Sequence, residues 1–191
     1  MKILRAADHK RMPWKNGGGE TVEIAISPAG VGLADFDWRV SMATVASDGP
    51  FSVFPGIDRT LSILEGKGMR LFIDGHRPVP LTQESEPLFF PADVPVAAEL
   101  DDGAITDLNV MTRRSALRHS VLRLVVNSRQ ELSLAGGQSL LLCHRGHLEL
   151  DLGDDKIALG AGDAALLAEP SGRTLELHGN ALVFVITITA I

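Results

Sequence analysis

Four stretches of the chain carry side chains suited to holding a small anion. Trp14, Lys15 and Asn16 place an aromatic face, a cation and an amide side by side, a combination that suits a small polar ligand. Arg59 lies in RTLSILEG, where strand alternation groups it with Leu61 and Ile63 and leaves Thr60, Ser62 and Leu64 on the other face. A guanidinium on the more apolar, inward face needs a partner, because an unpaired buried charge costs several kcal/mol. That partner is either a structural carboxylate, Glu23 or Asp107, or the carboxylate of a ligand, which the planar fork of Arg matches. In TDLNVMT, Asp107, Asn109 and Met111 share a face, and Asn109 could orient a ligand's amide or carboxylate. In WRVSMATV, Arg39 and Ser41 share a face that lines a pocket or meets solvent.

Other chemistries lack their residues. Gly17, Gly18 and Gly19 resemble a phosphate-binding loop only in composition, since such a loop runs from a strand into a helix whose amides meet the anion. Here the glycines lead into the alternation of TVEIAIS, with Val22, Ile24 and Ile26 on one face and Thr21 and Glu23 on the other. A tight turn is the reading of the glycines alone. His144 and His147 in HRGH straddle Gly146 with no third ligand evident, and read as exposed turn residues. Asp58 and His76 also read as turn residues, and no Ser-His-Asp order or nucleophile elbow is present.

The net charge of -6 comes without a cluster of Lys and Arg broad enough to neutralise phosphates, which argues against nucleic acid as a partner. The single cysteine, Cys143, builds neither a disulfide nor a thiolate metal site and fits a reducing cytoplasm. No apolar run reaches the roughly 18 residues needed to span a bilayer, and no leader is evident at the start, so the expectation is a soluble cytoplasmic protein without a membrane partner. Association as a homodimer is left open.

The elements that must position these side chains are strands. Helical periodicity is nearly absent, and short apolar or alternating runs recur between Gly, Pro and Asp. Twelve strands are expected: TVEIAIS, WRVSMATV, RTLSILEG, MRLFID, AAEL, TDLNVMT, VLRLVV, SLLLCHR, HLELDL, AALLAE, TLELHG and ALVFVITIT. This density points to an all-β protein of sandwiches or barrels. The only candidate helical turns lie in TRRSALRHS, residues 112–120, a positively charged stretch that reads as a solvated connector between two halves. LSILEGKGMRLFIDG in the first half is echoed by LLLCHRGHLELDLGD in the second, which suggests two copies of one β unit, each of two packed antiparallel sheets.

PWKNGGGETVEI, with WRVSMATVASDGPFSVFPGIDRTLSILEGKGMRL and DLNVMTRR, closely resembles the HutD/Ves family of bacterial bicupins, associated with histidine utilisation. The match runs in order over residues 12–114, and the remainder is similar to a degenerate cupin. The resemblance implies two antiparallel, jelly-roll-like cupin barrels, 1–114 with a ligand pocket and 115–191 without an evident one. It also implies no established catalysis and a regulatory role tied to a small acid such as N-formylglutamate. Metal-binding cupins carry His-x-His, four residues, Glu, six residues, Gly, and later Pro-x-Gly-x-x-His. Aligned on Gly66, this chain has Ser52, Phe54 and Arg59 at the first three ligand positions; aligned on Pro91, it has Val96 at the last. In the second half, alignment on Gly146 and Pro170 gives Leu132, Leu134, Ser139 and Leu175. The resemblance therefore implies metal-free barrels with no cofactor, the first keeping an Arg where the metal's Glu would stand.

Two functions follow. In the first, a small anionic metabolite is anchored by Arg59 and oriented by Lys15, Asn16 and Asn109, with Trp14, Arg39 and Glu23 around it, for sensing or buffering. In the second, a metal-independent isomerase or epimerase acts on a small polar metabolite with Glu23 as base, although no inward His is visible as the acid. A scaffold with relic pockets is a third, blander reading.

Overall fold

The computed structural model describes residues 1–14, 17–134, 136–153, 156–168 and 172–191. Among these residues it is all-β, with one 3-10 turn at Ala6–Asp8, and none of them form a helix long and apolar enough to cross a membrane. In chain order the strands are β1 (Lys2–Leu4), β2 (Lys10–Pro13), β3 (Gly19–Ser27), β4 (Trp38–Val45), β5 (Gly49–Pro50), β6 (Ile57–Glu65), β7 (Met69–Ile73) and β8 (Val79–Leu81). They continue with β9 (Leu88–Pro91), β10 (Val96–Leu100), β11 (Ile105–Arg113), β12 (Leu117–Ser133), β13 (Gln138–Asp151), β14 (Lys156–Leu159), β15 (Ala164–Leu167) and β16 (Thr174–Ala190).

The chain forms two compact units, one of residues 10–118 with Ile191, the other of 1–9 with 119–190. This differs from a division at 114/115 at both ends. The first nine residues leave their sequence neighbours because β1 pairs antiparallel with β15, Lys2 opposite Leu166. The expected helical connector is absent: β11 runs to Arg113, a turn occupies 114–116, and β12 begins at Leu117. Arg114 in that turn is not a free solvated charge, since its guanidinium bridges Asp58 at 2.7 Å and Asp93 at 2.9 Å. Asp58 thus belongs to β6, with Arg114 as its partner, and not to a turn.

In the first unit a six-stranded sheet, ordered β2-β3-β4-β11-β6-β9, packs against a four-stranded sheet, β5-β10-β7-β8. Leu61 and Ile63 of the larger sheet meet Met69, Leu71, Val96 and Ala98 of the smaller in one buried cluster. In the second unit the described strands form a single sheet, β1-β15-β13-β16-β12, with β14 on β13, where two sheets were expected. Its core is rich in leucine: Leu134, Leu141, Leu148, Leu150, Leu175 and Leu177 are buried together.

The echo between the halves stops at its glycine. Gly66 and Gly68, with φ of +90° and +126°, turn β6 into β7. Gly146, at φ +82°, instead lies inside β13, beside a register shift between Cys143 and Arg145. A Cβ there would come within 2.0 Å of the Asn180 carbonyl oxygen, so the glycine admits the neighbouring strand instead of ending its own. SLLLCHR and HLELDL are consequently one strand, and TLELHG and ALVFVITIT another. His144 and His147 sit on β13 and not on a turn; His144 is half-buried, edge-on to the Phe184 ring.

A second bulge, between Glu23 and Ala25 of β3, changes which residues face the core. Glu23 stands opposite Ser41, yet Ile26 stands opposite Arg39. Opposed residues share a face, so Ile26 joins the face of Glu23 and packs with Phe36, Ile57 and Met111, not with Val22 and Ile24 as simple alternation implied.

Candidate functional site

The inner face of the six-stranded sheet carries a polar patch that pure core would exclude. Register places Arg59 opposite Met111 on β11, Met111 opposite Arg39 on β4, Asn109 opposite Ser41, and Ser41 opposite Glu23 on β3. Arg39, Ser41, Arg59, Asp107 and Asn109 are all buried. They line a cavity of about 740 Å³ in the first unit, with Met12 of β2, Thr21 of β3, Trp14 and Gly18 between those strands, and Asp48, Phe51, Ser52 and Phe54 from the segment around β5. That volume lies within the range of small-molecule sites.

Each charge on this patch has a different status. Arg39 Nε donates to Glu23 Oε2 at 2.8 Å, and both side chains are largely shielded, so these two neutralise each other. Asp107 Oδ1 accepts from the Asn109 side-chain amide, while Oδ2 is buried without a partner. Burial pushes the Asp107 carboxyl up to about 7, against the opposing pull of Arg59. Arg59 pairs with neither Glu23 nor Asp107. Its Nε is buried without a partner, and its Nη2 makes only a 3.5 Å contact to the Ser52 carbonyl oxygen. Its Cζ lies 5.3, 5.4 and 5.8 Å from the ring centroids of Phe51, Phe54 and Phe90. Three aromatic faces attract the cation and strip water from it, but they do not cancel its charge. Burial lowers Arg59 to about 10, which leaves the guanidinium protonated at neutral pH.

Trp14 lines the cavity, its indole Nε1 donating to Thr21 Oγ1 at 2.8 Å. Lys15 and Asn16, expected beside it, lie outside the described residues. The structure thus brings Trp14, Arg39, Arg59 and Asn109 to the cavity wall, with Glu23 behind Arg39. Sequence reasoning missed the Phe51, Phe54 and Phe90 cage. FSVF ahead of Arg59 is a visible aromatic signal, but Phe90 reaches Arg59 only through the β6–β9 register. Of the positions aligned with cupin metal ligands, Ser52, Phe54 and Arg59 line this cavity, and Val96 is buried core. In the second unit, Leu134 and Leu175 are buried core and Ser139 is fully buried. Among the described residues no three of His, Cys, Asp or Glu converge as a metal site.

The glycines before β3 serve two steric needs. Gly17, at φ +72°, turns the chain between β2 and β3, and the turn is closed by Trp14 N–H donating to the Gly19 carbonyl at 2.9 Å. A Cβ on Gly19 would meet the Thr44 carbonyl oxygen at 2.0 Å, with the Trp14 ring at 3.1 Å. Gly19→Ala is therefore expected to cost about 2–3 kcal/mol and to disturb the cavity wall, whereas Gly17→Ala, with open space around it, should cost only about 1 kcal/mol of backbone strain. Urea denaturation of the two variants checks the order; equal losses would contradict it.

The fold is cupin-like. The fold aligns with a cupin 2 conserved barrel domain protein from Leptotrichia buccalis at 12% identity and a TM-score of 0.59, covering 94% of this chain and 96% of that one, a likeness of fold alone. The HutD family model matches residues 6–185, and the chain belongs to the HutD family. A Pseudomonas putida relative, an uncharacterised 21.2 kDa protein in the hutC 3' region, is 35% identical over 175 residues, covering 83% of this chain and 91% of the relative. Protein Ves of Cronobacter sakazakii is 42% identical over 118 residues, 60% of this chain and 63% of Ves. The structure of HutD from Pseudomonas fluorescens SBW25, in a formate condition, superposes with a TM-score of 0.85 at 30% identity, covering all of this chain and 98% of that one.

Proposed function

We infer that the protein is a cytoplasmic, metal-free bicupin whose first unit binds a small carboxylate, and that it senses or buffers such an acid in histidine utilisation. The observation that carries this reading is Arg59: a buried cation inside an aromatic cage, facing a cavity, without an ion pair among the described residues. A carboxylate is its natural complement, because it cancels the charge and accepts two parallel hydrogen bonds. The relative in the hutC 3' region supports the link to histidine utilisation, and N-formylglutamate is an acid of suitable size. The rival isomerase or epimerase would use Glu23 as base, but that carboxylate is already engaged by Arg39 at 2.8 Å and Glu23 is not part of the cavity lining.

Thermal denaturation with N-formylglutamate, glutarate and the neutral diamide of glutarate tests the binding reading. The acids should raise the midpoint and the diamide should not; an equal response to all three would overturn it. Protein purified without chelators should also hold far less than one equivalent of zinc, iron, manganese or nickel by elemental analysis, since borderline and hard divalent ions need converging His or carboxylate ligands. A stoichiometric metal would overturn the metal-free reading.

A further inference from the structure

Arg59 and Asp107 face one cavity as opposite buried charges that do not bridge. Asp107 stands opposite Ile63 on β6, four residues along from Arg59, and its Oδ2 has no partner. Among the described residues, the charged groups beside Asp107 at this cavity are Arg59 from β6, Arg39 from β4 with Glu23 of β3 behind it, and Asp48 from the segment after β4. From the opposing four-stranded sheet, Gly49 and Pro50 of β5 line the cavity and bring no charge. Arg39 is committed to Glu23, and Asp48 is exposed and accepts from the Leu100 amide. Among the described residues, the charge that offsets Asp107 is therefore that of Arg59.

A carboxylate seated on Arg59 cancels that offset and adds an anion to a cavity that already holds one. Two like charges in a shielded site raise each other's affinity for a proton, and the one with a free, buried oxygen takes it most readily. We propose that the cavity binds a small carboxylate together with one proton from solvent, the proton residing on Asp107. This rests on the carboxylate reading above. The one bond formed is the O–H of Asp107, from a proton that solvent gives up: the ligand stays an anion on Arg59, and Asp107 becomes a neutral acid whose O–H can donate. Because burial already lifts Asp107 to about 7, the coupling operates across the physiological pH range.

Calorimetric titration of the protein with sodium formate, from pH 5 to 8.5 and in two buffers of different ionisation enthalpy, tests the coupling. Near pH 8 the uptake should approach one proton per formate, and near pH 5 it should fall towards none. Above pH 7 the Kd should weaken by up to about tenfold per pH unit, the slope of a single linked proton. Asp107→Asn should bind formate with a Kd that is flat over this range and without uptake. Formate binding by the parent with no uptake and a flat Kd would overturn the proton coupling while leaving the Arg59 reading intact. No formate binding at any pH would overturn both.

Discussion

Replacing Arg59 with Met is expected to keep the fold and abolish stabilisation by small carboxylates. Ligand that binds only the folded protein stabilises it by about 2.7 kcal/mol at 100 times its Kd, and for a chain of this size each kcal/mol moves the midpoint by roughly 2–4 °C. The parent should therefore gain roughly 5–10 °C for the first unit's transition, and Arg59→Met none. Without ligand at pH 5, where Asp107 is protonated, the variant should be more stable than the parent by about 1–3 kcal/mol, because it exchanges a buried cation among Phe51, Phe54 and Phe90 for an apolar chain of similar length. Arg59→Lys should recover part of the ligand response, since an ammonium supplies the charge but not the two-point fork. A structural role for Arg59 makes the opposite forecast: Arg59→Met would melt lower and still respond to the acid as the parent does.

Asp107→Asn is expected to stabilise the ligand-free protein at pH 8 and to have little effect at pH 4. The carboxyl is raised from 3.8 to about 7 in the folded protein, so between those values the folded state holds a proton that the unfolded state has released. The stability this provides is complete below about pH 3.8 and is lost as pH rises to about 7. At 1.36 kcal/mol per pH unit the loss is on the order of 4 kcal/mol. Asparagine is isosteric, keeps an oxygen for the Asn109 amide and never ionises, so it removes the loss. Asp93, Asp163 and Glu176 are held low by their own partners and pull the parent's acid limb the other way, but they are common to both proteins and cancel in the difference. Urea denaturation at pH 4, 6 and 8 measures that difference. A constant offset across the three would rule out titration of Asp107 as its source.

Much of this site was legible from alternation. WRVSMATV coincides with β4, and period-two reasoning put Arg59 with Leu61 and Ile63, and Asp107 with Asn109 and Met111, on the faces that line the cavity. Pairing was not legible. Glu23 reaches Arg39 instead of Arg59 because of a bulge and a register between β3 and β4, neither of which leaves a mark in the sequence. Glycine misled where it admits a neighbour: Gly146 and Gly179 let β13 and β16 approach, each with a Cβ position within 2.3 Å of the opposite carbonyl oxygen, and run on as continuous strands. The strands missed, β1, β2, β5, β8, β9 and β14, are two to four residues long. Segments that short have no periodicity to read and exist because a longer strand offers them an edge.

The pairing of β1 with β15 also sets an order of events during synthesis. Residues 10–118 supply every strand of both sheets of the first unit in one contiguous stretch, so that unit can close while the ribosome is still adding the rest. Lys2 leaves the ribosome ahead of all of it, yet its partner is Leu166. At 5–20 residues per second, roughly 10–30 s pass before that partner emerges. For that interval β1 is without its β15 partner, and the later sheet takes an edge strand from a segment made before the whole of the first unit.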